Sequence, residues 1–87
     1  MKFYVGKIDE RVGEIEFSTT IRFKLDDHES PGIHLDDIAK NWRLEEAEWS
    51  EFYDGYDHGD DICVTPGWFK EVTFETYHDL AGIITEL

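Results

Sequence analysis

Alternation of apolar and polar side chains is the clearest pattern in the chain. Ile15, Phe17, Thr19, Ile21, Phe23 and Leu25 interleave with Glu14, Glu16, Ser18, Thr20, Arg22 and Lys24. A period of two puts one set on a buried face and the other in water, so this stretch predicts a long strand. Few strands run so far unbroken, and the length predicts a bulge near Ser18–Thr20. Upstream, Phe3–Ile8 has the aromatic and β-branched content of a strand. The polar segment Asp9–Gly13 between them predicts a hairpin connection.

The period then changes. Leu35, Ile38, Ala39 and Trp42 recur at helical spacing. Asp36 and Asp37 are read into the first turn of this helix, and Lys40 and Arg43 into its last, as the macrodipole prefers. Ser30-Pro31-Gly32 before it reads as a type II turn. Residues 44–57 fit neither period cleanly; the reading is a helical tail followed by a strand at 52–57. His58-Gly59-Asp60 reads as a turn and Asp61–Thr65 as a strand. Thr65-Pro66-Gly67-Trp68 reads as a second turn, with a short extended piece through Val72. Thr73 caps a last helix with Tyr77, Leu80, Ala81 and Ile84 as its buried stripe. The order β-β-α-β-β-α predicts a single α+β domain over residues 1–87. Its antiparallel sheet would have about four strands, with two helices packed on one face.

Composition adds a core to this outline. At 87 residues, 40% hydrophobic and 15% aromatic, the chain has enough apolar side chains to fold despite a net charge of -13. The lone Cys63 excludes an internal disulfide and suits a reducing compartment. No run approaches the roughly 20 apolar residues of a membrane span, and Met1–Lys7 lacks a signal peptide's apolar run. Together these predict a cytoplasmic protein. Residues 1–24 carry five basic and four acidic side chains, whereas residues 25–87 carry three and seventeen. A surface with that excess repels nucleic acid and anionic membrane and attracts basic protein.

Candidate chemistry is thin. Cys63 lies between Ile62 and Val64 with no nucleophile motif, as an ordinary strand thiol would. Asp54, Asp57, His58, Asp60 and Asp61 crowd one glycine-bearing loop, and His28, His34 and Asp36 another. Neither has the ligand spacing of an EF-hand or a zinc hydrolase. The glycines match no phosphate loop or dinucleotide fingerprint. Abundant carboxylates say nothing specific about acid–base catalysis, which also needs a pocket. The expectation is a non-enzyme with no metal and no cofactor.

What remains is Glu45–Asp61. Glu45, Glu46, Glu48, Glu51, Asp54, Asp57, Asp60 and Asp61 are acidic there, and nothing is basic. Trp49, Phe52, Tyr53 and Tyr56 are interleaved among them, with Trp49, Tyr53 and Tyr56 as candidate anchors for a protein partner. An acid at every second position of an extended segment matches the density of phosphates along one DNA strand, roughly one per 3.4 Å. The competing readings are a merely solvated face, salt adaptation, and a partner surface that does not copy DNA. In size, charge and this acidic array the chain resembles small phage and plasmid counter-defence inhibitors, of the anti-restriction and anti-CRISPR kind. The resemblance implies a DNA mimic that occupies the basic surface of a nucleic-acid-binding host protein. The alternative is an adaptor or steric inhibitor using exposed aromatics. Neither reading has the chain contact nucleic acid itself, and a long strand edge leaves room for a homodimer.

Overall fold

The computed structural model describes all 87 residues. Strands β1 (Lys2–Val12) and β2 (Ile15–Leu25) form a hairpin in unbroken register, from Lys2 opposite Leu25 to Val12 opposite Ile15. Gly13 closes it with φ +62°, a conformation that favours glycine. The expected bulge is therefore absent from β2. It lies instead between β1 and β5 (Ile62–Val72), where Gly6 faces Phe69 but Ile8 faces Pro66. Gly67 and Trp68 thus share Lys7 as their opposite residue.

This corrects the second Pro-Gly turn, because residues 65–68 run through the middle of an eleven-residue strand. Two facts permit it. Strand β4 (Gly55–Asp57) pairs only with Cys63 and Val64, so Pro66 sits on an edge portion where a missing N–H is tolerated. A Cβ on Gly67 would come 2.7 Å from the carbonyl oxygen of Lys7, so the bulge needs glycine there.

Helix α1 (Pro31–Lys40) also starts earlier than its apolar stripe suggests. Ser30 is the N-cap, its hydroxyl accepting from the Ile33 N–H, and Pro31 takes the first helical position. The Ser-Pro-Gly segment opens the helix rather than forming a turn. Asp36 and Asp37 consequently fall in the helix interior, and Trp42 and Arg43 lie beyond its end. Residues 44–57 contain no helical tail: β3 (Glu48–Ser50) and β4 form a small hairpin. Helix α2 (Phe74–Asp79), capped by Thr73, is a short segment that buries only Tyr77. Ala81 is exposed past its end, and β6 (Thr85–Glu86) closes the chain.

The fold is α+β with a six-stranded sheet in the order β3-β4-β5-β1-β2-β6, not a sheet of four. Every neighbouring pair is antiparallel except β2–β6. The helices take opposite faces. Gly6 of β1 lies under Leu35 of α1, while Phe3 packs on Phe74 and Tyr77 of α2. Even and odd positions of one strand point to opposite sides. The α1 side holds the core, with Ile8, Ile21, Phe23, Leu35 and Val64 fully buried. Each contributes about 1.5–3 kcal/mol by leaving water. No helix is long and apolar enough to cross a membrane.

Candidate functional site

The β3–β4 hairpin forms one margin of the sheet and carries the centre of the acidic array. Its attachment depends on Gly55, where a Cβ would meet Cys63 Sγ at 2.4 Å and Thr65 Cγ2 at 2.7 Å. Bare backbone at Gly55 lets β4 lie close against β5. Glu48 and Asp57 are direct cross-strand partners and therefore point to the same side. Asp57 Oδ1 also accepts the Gly59 N–H at 2.9 Å, shaping the turn that presents Asp60 and Asp61.

All eight acids from Glu45 to Asp61 are exposed. None has a cationic partner, since the ion pairs of the molecule are Met1–Asp27, Lys7–Asp9, Arg22–Glu86 and Arg43–Glu10. Four non-glycine residues have positive φ: Glu46 (54°), Asp54 (55°), Asp60 (52°) and Asp61 (61°). All four belong to the array. Aspartate tolerates this left-handed region better than most residues, but glutamate does not share that ease.

Two buried polar groups hold the array in place. His58 is only 4% exposed. Its Nδ1 accepts the backbone N–H groups of Arg43 (3.2 Å) and Leu44 (2.9 Å), so Nε2 carries the proton and donates to the Ala39 carbonyl at 2.9 Å. One ring thereby ties the end of α1 and the segment leading to Glu45 to the end of β4. Glu10, at 5% exposure, accepts from Trp42 Nε1 and Arg43 Nε, both at 2.8 Å. Asn41 Oδ1 accepts the Glu46 N–H at 2.8 Å, fixing the following turn.

The aromatics divide. Trp49 is half-exposed and stands edge-on to Tyr56, ring centres 5.1 Å apart. Tyr53 is half-buried, its carbonyl accepting from Arg11 Nη2 at 3.3 Å. Tyr56 is withdrawn from the surface: its ring belongs to the core and its hydroxyl donates to Asp36 at 2.6 Å. Burial first, then Asp36, pushes its phenol up to about 12.

Phe52, one of the aromatics of the acidic segment but not among the expected anchors, lies at the tip of the β3–β4 turn and is 88% exposed. Glu14 escaped the sequence reading. It joins the array because the Gly13 N–H donates to the Asp61 carbonyl at 3.1 Å, bringing the β1–β2 turn beside Asp60 and Asp61. Only the sheet topology brings it there.

The two loops rich in His and Asp do not assemble a metal site. No three His, Cys, Asp or Glu side chains converge to hold an ion, and His58 turns both ring nitrogens inward. Cys63 is buried with Sγ 3.7 Å from the Tyr53 carbonyl. Burial pushes its thiol up, against the opposing pull of Arg11, and so keeps it protonated. No family model matches the chain, and no curated protein and no solved structure matches it either.

Proposed function

We propose that the protein is a non-catalytic inhibitor whose acidic edge occupies the basic, nucleic-acid-binding surface of a host defence protein, such as a nuclease or a CRISPR or restriction complex. The observation that carries this reading is the exposure of eight carboxylates with no ion pair to any of them. A merely solvated surface in a chain with eight basic residues would show some pairing in its densest acidic segment. Here no acid of the segment is neutralised by an ion pair. Glu14 extends the array beyond one segment, as copying a duplex backbone requires.

The test is capture of the partner from host lysate along a salt gradient, followed by competition with duplex DNA. Mimicry predicts an affinity that falls roughly tenfold or more from low to moderate salt, and displacement of the protein by DNA. Binding indifferent to both would reject it.

A second reading rests on Phe52 and Trp49. An 88% exposed phenylalanine beside a half-exposed tryptophan is the anchor pattern of an ordinary protein interface. In that case Phe52→Ala and Trp49→Ala abolish binding, whereas paired changes such as Glu48→Gln with Asp57→Asn barely alter it. The opposite pattern favours mimicry.

A further inference from the structure

Besides the two-residue β6, the sheet has three open margins, and they are not alike. Strand β3 is three residues long and flanked by acids. The outer margin of β5 beyond β4 contains Pro66, the Gly67–Trp68 bulge, Lys70 and Glu71. Short length, proline, bulges and charge are the usual protections against edge-to-edge pairing. The outer margin of β2 from Ile15 to Thr20 has only one of them, the single charge of Glu16. It reads Ile-Glu-Phe-Ser-Thr-Thr, with one charge, no glycine and no proline, and β6 pairs only with Ile21 and Arg22 beyond it.

The backbone groups on this margin can be assigned. The Arg22 carbonyl accepts from the Leu87 N–H at 2.8 Å and so faces outward. By alternation, Glu16, Ser18 and Thr20 turn their N–H and C=O groups the same way. Ile15 (67% exposed) and Phe17 (41% exposed) instead present side chains on the α1 face. That face continues into an apolar groove of about 420 Å³ lined by Thr19, Ile21, Ile38, Trp42 and Leu87.

We infer that the β2 margin pairs with the β2 margin of a second copy, antiparallel about a two-fold axis through Phe17. Three observations select this occupant and register. A two-fold perpendicular to the sheet pairs residues of equal parity, so the centre falls on a residue of β2. Centring on Glu16 would oppose two carboxylates. Centring on Ser18 would place the partner's Ile15 beside Ile21, where Thr85 of β6 already lies. Centring on Phe17 clears both: Glu16 and Ser18 exchange main-chain hydrogen bonds with Ser18 and Glu16 of the second copy. Each Ile15 then stands opposite the other copy's Thr19, at the mouth of the groove. Charge points the same way. Two chains of net charge -13 repel, but this register sets the margin's acids Glu14 and Glu16 opposite the neutral Thr20 and Ser18 of the second copy, so close approach costs less here than along the Glu45–Asp61 edge. The joined sheet would carry an acidic edge at each far end, about 40 Å apart at about 4.8 Å per strand.

Sedimentation velocity and thiol cross-linking test this. The native chain of 10.2 kDa should sediment as a concentration-dependent dimer, and Phe17→Lys as a monomer with unchanged circular dichroism. Phe17→Cys should form a disulfide-linked dimer under mild oxidation, because non-hydrogen-bonded cross-strand pairs lie within disulfide range. Trp68→Cys on the β5 margin should not, and the buried Cys63 stays out of the reaction. A wild-type chain that is monomeric at about 100 µM overturns the inference. So does a dimer that survives Phe17→Lys, or readier cross-linking through Trp68→Cys. If the margin instead receives a strand of the target, the isolated protein is monomeric and Phe17→Lys abolishes target capture; that outcome also overturns self-pairing. The acidic-edge reading is separable, since Glu48→Gln with Asp57→Asn should leave the dimer intact.

Discussion

Replacing His58 with phenylalanine isolates the hydrogen bonds of the clamp from its volume. The ring stays, but Arg43 N–H and Leu44 N–H lose their acceptor and Ala39 C=O keeps only the Trp42 N–H, so three hydrogen bonds go together. At about 1 kcal/mol of net stability per hydrogen bond, the floor of the effect is about 3 kcal/mol, and a buried orphan raises it. A chain of this length has a total stability of about 4–13 kcal/mol, so the loss is a large part of the whole. The corresponding fall in melting temperature is about 12–24 °C. Urea unfolding followed by tryptophan fluorescence reads it directly, as a lower midpoint at unchanged slope. His28→Phe, on an exposed loop, is the control and should stay within about 0.5 kcal/mol of wild type. A loss under about 1 kcal/mol for His58→Phe would refute the clamp.

Gly55→Ala should destabilise by about 1–3 kcal/mol and weaken partner binding, because β4 must move away from Cys63; Cys63→Ala in the same chain should recover part of both. Glu10→Ala strands the Trp42 indole N–H and frees Arg43, costing about 2–4 kcal/mol with an altered Trp42 emission. Alkaline unfolding should track Tyr56 and Tyr77, both raised from 10.0 to about 12, first by burial and then by a carboxylate partner. A raised folded value means the native state holds the proton more tightly, so stability is complete below about pH 10 and declines as pH rises towards about 12. Phenolate absorbance that appears for both well before unfolding would contradict this. Asp57→Asn keeps an acceptor for the Gly59 N–H but removes a like charge opposite Glu48, so it should stabilise the fold by about 0.2–1 kcal/mol while weakening capture of a basic partner.

The parts of the fold visible in the sequence are those governed by local period. The alternation over Glu14–Leu25 names β2 to within one residue, and the spacing of Leu35, Ile38 and Ala39 marks the buried side of α1. Where proline and glycine decide the structure, local reading fails in both directions. Ser30-Pro31-Gly32 opens a helix and Pro66-Gly67 bulges a strand, because neighbours absent from the local sequence absorb the missing N–H or require the missing Cβ. The pairs 48–50 and 55–57 are three residues each, too short for any period to register. The acidic segment was legible as composition. Its presentation was not: Tyr56 turns inward because Asp36, on another element, receives its hydroxyl, and Glu14 arrives through a hydrogen bond between two turns.

The acidic edge is also where the fold works against itself. Glu48 and Asp57 face each other with like charge, and Glu46, Asp54, Asp60 and Asp61 adopt a backbone region in which glycine or asparagine would rest more easily. Each of these choices lowers stability by a fraction of a kilocalorie to a few kcal/mol, and no ion pair nearby offsets them. Elsewhere the chain obeys local rules: Ser30 and Thr73 cap their helices, Gly13 and Gly59 take positive φ in turns, and no buried side-chain polar atom lacks a partner. Local violations gathered in one exposed segment are what the proposed partner surface would require. The positions costliest to the fold are also ones that carry the charge of the proposed partner surface.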